Sequence, residues 1–150
     1  MNHSTSKATV GGLFRDHGGR WILGFAVNIG PQTNFMAELW GCRDSLRLAS
    51  ELDVTQLILE MDYLSVVQMI QTRKAEEGSA SVLLSDIFHY LDAFTACKMQ
   101  HTLREGNAAA DFMAAKGHTL LQGLSLFQTP PSGISCILHG DVLGTSFLRI

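Results

Sequence analysis

Apolar residues change their spacing several times along the chain, and each change predicts an element. Residues 8–15 and 20–27 are both strand-like runs, and Asp16-His17-Gly18-Gly19 between them offers the positive-φ residues of a hairpin turn. Gly11 and Gly12 either weaken the first strand or mark a close approach of other backbone. Over 34–52, Phe35, Leu39, Cys42, Leu46 and Ala49 recur at steps of four and three. That is one helical stripe, with Arg43, Asp44, Arg47 and Glu51 on the solvated side. Residues 55–62 are apolar on both parities until their end, as a buried interior strand is.

A short helix is expected over 63–72, a charged loop over 73–78, and a third helix striped by Leu83, Ile87, Leu91 and Phe94. Residues 95–103 alternate, with Cys97, Met99, His101 and Leu103 on one face and Lys98, Gln100 and Thr102 on the other. His101 therefore reads as a core histidine. Asn107 is placed to cap an alanine-rich helix over 108–121. Residues 123–150, with Pro130-Pro131 and several glycines, read as a looser tail. The order predicts a mixed α/β domain over 1–121, one sheet with helices packed on it, and a C-terminal tail over 122–150.

Composition narrows the class. With 150 residues, 46% of them hydrophobic, the chain suits one folded domain and excludes disorder. No apolar run approaches the roughly 18 residues of a membrane helix, and the polar opening 1–7 leads into no signal core, so an intracellular protein is expected. Eleven Lys and Arg against fourteen Asp and Glu give a net charge of −3, so any nucleic-acid contact must be local. Cys42, Cys97 and Cys136 lie far apart with no CxxC pair, which fits reduced thiols.

Three acidic residues fall where solvation does not explain them. Glu38 borders the first helix's apolar stripe, Asp62 ends the interior strand, and Asp111 lies in the first turn of the last helix. Strand ends of α/β sheets gather ligand sites. Each residue also has a plain reading: Asp62 as a helix cap, Asp111 as a dipole partner, Glu38 as an edge residue reaching water. Converging carboxylates repel and are tolerated chiefly around a cation. Spacing alone leaves the choice open.

The phrases Gly11-Gly12-Leu13-Phe14-Arg15-Asp16-His17-Gly18-Gly19-Arg20-Trp21, Ala37-Glu38-Leu39-Trp40, Leu59-Glu60-Met61-Asp62-Tyr63 and Arg104-Glu105-Gly106-Asn107-Ala108-Ala109-Ala110-Asp111 resemble the plant ribonuclease H-like family. These are type 1 ribonuclease H domains related to those of non-LTR retroelements. The resemblance runs in order from residue 8 to about 121, and the tail resembles the family's extension, with paired prolines and then Asp141 to Gly144. It implies a ribonuclease H-like fold and hydrolysis of the RNA strand of RNA–DNA hybrids with two Mg²⁺ ions. It also implies Glu38, Asp62 and Asp111 as catalytic metal ligands. Arg15, Arg20, Arg104 and Asn107 are the candidate contacts to nucleic acid, an RNA–DNA hybrid or RNA. Arg73 and Lys74 are further cations to consider, whereas Trp21 and Trp40 read as packing residues.

The family pattern opens with another strand ending in Asp-Gly, central in its sheet, and its aspartate touches both metals. Here the first acidic residue is Asp16, in the hairpin turn. The expectation is a domain without its first, central strand and first aspartate, with weak or no cleavage. The alternatives are a non-catalytic nucleic-acid-binding or scaffold domain, and a truncated retroelement relic. The family's mobile histidine is also absent from the loop before Asp111. A gap left by the central strand would expose two strand edges. The apolar run 134–138 is one candidate to fill it; otherwise that run forms a short helix after Ser132 and the gap stays open or is covered by the N-terminal residues.

Overall fold

A computed structural model describes residues 7–73, 78–102, 107–134, 137 and 147–149. The hairpin pairs β1 (Lys7–Arg15) with β2 (Trp21–Pro31) in antiparallel register. Its turn is held by Asp16, whose Oδ1 accepts from the amides of Gly18 and Arg20 at 2.9 Å each, and only Gly19 in it has a positive φ. The helix α1 (Asn34–Glu51) follows, capped by the Thr33 hydroxyl, which accepts from the Met36 amide. Then come β3 (Gln56–Met61), α2 (Leu64–Thr72), α3 (Ser79–Ala93), β4 (Ala96–His101) and α4 (Ala108–Gly117).

Two further strands come from the segment expected to be a tail. β5 (Gly123–Phe127) pairs with β2, and β6 (Phe147–Arg149) enters the middle of the sheet. The sheet order is β4-β3-β6-β1-β2-β5. β6 runs antiparallel to β1, with Leu148 opposite Phe14, and parallel to β3, with Leu148 opposite Leu59. This corrects two expectations. The slot between the hairpin and β3 is not open, and residues 147–149 occupy it rather than 134–138. The boundary at 121 likewise does not separate the tail from the sheet, since both later strands belong to it.

Side chains leave β1 alternately to the two faces. Val10 and Phe14 join the larger core with Phe25, Leu39, Leu46, Leu59, Met61 and Ile87, under α1, α2 and α3. Leu13 joins a smaller core on the other face with Ala109 and Met113 of α4 and with Ile134. Ile134 is thus a packing residue, and the amide of Ile137 donates to its carbonyl. The α1 stripe is buried as expected, apart from the half-buried Phe35. Asp44 is a correction, being buried although it was expected in solvent. Helix α3 covers that side, and Arg43 bridges Asp44 at 3.1 Å and Asp86 of α3 at 3.6 Å.

Candidate functional site

A polypeptide forms a site where its elements end together. β3 ends at Met61, so Asp62 lies just beyond the strand. Helix α1 passes over this end of the sheet one turn in from Thr33, presenting Glu38. Helix α4 crosses the opposite face with Asp111 in its first turn. It comes close because Gly11 has no side chain to hold it off. Glu38, Asp62 and Asp111 thereby line one small cavity of about 30 Å³, together with Thr9, Val10, Gly11, Asn107, Ala110 and Ala114.

The electrostatics of the cavity are unfavourable without a cation. Glu38 Oε2 is buried and has no hydrogen-bond partner among the described residues. Burial, and then the negative charges of Asp62 and Asp111, push the Glu38 carboxyl up to about 7. Beneath it, burial raises the Cys42 thiol far above its ordinary range, so Cys42 packs as a neutral apolar group. Among the described residues no three His, Cys, Asp or Glu side chains are close enough to enclose a metal ion. The cavity holds roughly two water-sized bodies, at about 10–15 Å³ each.

Other candidates fare differently. Arg20 is exposed beside the hairpin turn. Arg15 is only 1% exposed and faces no solvent, a correction to its place among nucleic-acid contacts. Arg104 lies outside the described residues, as do Lys74, Leu103 and Cys136. Asn107 stands at the α4 N-cap position, but its side chain makes no capping bond. Its φ of −110° and ψ of 21° depart from the extended backbone of a capping residue, and it is buried against the cavity instead. The indole of Trp21 donates to the Phe127 carbonyl, and Trp40 lies under the Arg43 guanidinium.

His101 is a second correction. It is exposed, not core, because β4 is an edge strand and His101 is its last residue. Its Nε2 lies 3.2 Å from the carbonyl oxygen of Asp62. Strand parity gives no sign of this contact; it arises because parallel β3 and β4 end in the same register, Met61 opposite His101.

The sequence model of a family described as reverse transcriptase-like matches residues 1–117. The chain belongs to that family. An Arabidopsis thaliana protein named "Putative ribonuclease H protein At1g65750" is 32% identical over 139 residues, 93% of this chain. The chain spans 22% of that relative's length. Among solved structures, ribonuclease H1 of the halophilic archaeon Halobacterium salinarum superimposes with a TM-score of 0.71 at 19% identity, over 79% of this chain and 91% of that one. The N-terminal ribonuclease H domain of Mycobacterium tuberculosis rv2228c gives 0.57 at 20% identity, over 71% and 95%. The domain is therefore ribonuclease H-like in family and fold. Among the described residues no helix is long and apolar enough to cross a membrane.

Proposed function

We propose that this ribonuclease H-like domain binds an RNA–DNA hybrid or RNA and holds a divalent cation at Glu38, Asp62 and Asp111. We further propose that the chain as given cleaves the RNA strand of a hybrid weakly or not at all. The observation that carries the reading is the shared cavity, which three carboxylate residues line and where one buried Glu38 oxygen lacks a partner among the described residues. An all-oxygen donor set suits Mg²⁺, which binds through one or two carboxylates and keeps several waters, so the three need not close around it. When bound, such an ion stabilises charge on a phosphoryl oxygen and helps generate a hydroxide nucleophile. The chain's own part is to aim the carboxylates: Asp62 from a strand end, Glu38 and Asp111 from helices on opposite faces.

One observation favours low activity. β6 brings Phe147, Leu148 and Arg149 into the slot that the family resemblance gives to the aspartate-bearing strand, and none of these is acidic. A non-catalytic nucleic-acid-binding or scaffold module is thus the second reading. Cys42 and Cys97 are free thiols, in keeping with an intracellular protein, nuclear or cytoplasmic.

A labelled RNA–DNA duplex incubated with the chain and Mg²⁺ tests the reading. Losing a Lewis-acid contribution of several kcal/mol slows cleavage by about a thousandfold or more relative to a complete ribonuclease H1. Binding of the duplex is expected to persist. Cleavage at the full rate, abolished by Asp62→Asn, would overturn the low-activity reading. No duplex binding and no cation binding would overturn the rest.

A further inference from the structure

We infer that His101 is a positioning residue that fixes Asp62 for cation binding; the inference rests on Asp62 being a ligand. Among the described residues, Asp62 is held from the β4 side. β6 pairs with β3 from Ile58 to Glu60, and no described residue pairs with Met61 or Asp62 on that side. On the other side, the ladder between β3 and β4 continues past their ends. The Thr102 amide donates to the Met61 carbonyl at 2.9 Å, and the His101 ring reaches the Asp62 carbonyl at 3.2 Å.

A carbonyl oxygen only accepts, so His101 donates from Nε2. The bond ties down the peptide unit that follows Asp62, and with it the direction in which the carboxylate leaves the backbone. Glu38 and Asp111 stand on helices whose own hydrogen bonds fix them. Asp62 lies just beyond its strand, and this bond anchors its carbonyl. Partners that orient a ligand in this way commonly account for 10–100-fold in metal affinity.

The full chain is titrated with Mn²⁺ and with Mg²⁺ by calorimetry, and its thermal unfolding is followed in parallel. His101→Ala is expected to weaken cation binding about tenfold. His101→Gln, which keeps a side-chain N–H donor, restores most of it. Because His101 is exposed, both variants unfold within about 2 °C of the parent, a shift well under 1 kcal/mol. Unchanged affinity in His101→Ala overturns the inference, as does a His101→Gln variant no better than His101→Ala. Loss of the fold in His101→Ala alone also overturns it, since the ring would then be holding the sheet. Asp62→Asn separates the two levels of the argument. If it leaves binding unchanged, or if the parent binds no cation, Asp62 is not a ligand and the proposed site itself has failed.

Discussion

Gly11 of β1 lies so close to Ala114 of α4 that a Cβ on Gly11 would stand 2.1 Å from the Ala114 amide nitrogen. Real side chains do not tolerate such a distance, and the neighbour is helix backbone, which cannot rotate away. Gly11→Ala must therefore push α4 off the sheet, and α4 carries Asp111. We expect a loss of about 1–3 kcal/mol in stability, with weakened cation binding. Gly18→Ala is the control: its Cβ would meet only Asp16 Oδ1 at 3.4 Å, in an exposed turn. Equal unfolding midpoints for the two variants would show that α4 does not pack as described.

Glu38 makes stability depend on pH in a defined direction. Its folded pKa of about 7 lies above the ordinary 4.5, so the native state keeps a proton that the unfolded chain releases. Stability is then full below about pH 4.5 and falls as pH rises toward 7, by about 3 kcal/mol at most for a shift of that size. Glu38→Gln should flatten this stretch of the curve and be the more stable protein at pH 8. Mg²⁺ should restore stability to the parent at pH 8 and do less for the variant. Denaturant midpoints between pH 4 and 8 measure both. A parent curve that rises through this window would contradict the burial of an uncompensated carboxylate.

What could be read from the sequence was whatever buries a regular face. Leu39, Cys42, Leu46 and Ala49 repeat at helical steps because α1 lies on the sheet, and all four are buried. Gly11 is a sign of close backbone approach, and α4 does pack on it. β5 gave no such sign. It is an edge strand held to Gly24–Asn28 by backbone bonds, and its Leu124 and Leu126 stay exposed, so its short Leu-Ser-Leu alternation marks no buried face. β6 is three residues long, too short for any period, and its place follows from partners more than 85 residues away in sequence. His101 was misread because parity says which face a residue takes, not whether anything covers that face. Asp62 and Glu38 stood out as carboxylates at an element's end or edge, but their convergence depends on how β3, α1 and α4 pack.

Arg15 and Arg20 flank the same turn yet should behave oppositely. Arg15 is buried, so Arg15→Ala removes packing and a polar contact from the interior and should lower the unfolding midpoint clearly. Arg20 is exposed, so Arg20→Ala should leave the midpoint within about 0.5 kcal/mol. If Arg20 meets a phosphate, its loss weakens duplex binding and reduces the salt slope by about one. Fluorescence anisotropy of a labelled hybrid across a salt series, beside thermal melts, distinguishes the pair. A stable Arg15→Ala protein with weakened duplex binding would place Arg15 at the surface.

Leu148 is the residue on which the central slot can be tested. It sits opposite Phe14 on one side and Leu59 on the other, so its backbone belongs to an interior strand rather than an edge. Proline has no amide hydrogen to give, and sheets accept it only at edges, strand starts and bulges. Leu148→Pro should remove β6 from its slot and leave the facing edges of β1 and β3 without that partner. Those groups would then need water deep in the sheet, or β1 would have to shift across to β3, and either change disturbs the two cores at once. The expected result is a large drop in unfolding midpoint with a broadened transition. Amide exchange gives the local reading: Phe14 and Leu59, protected in the parent, should exchange far faster in the variant. An unchanged midpoint with both amides still protected would mean that the strand between β1 and β3 in solution is not formed by residues 147–149.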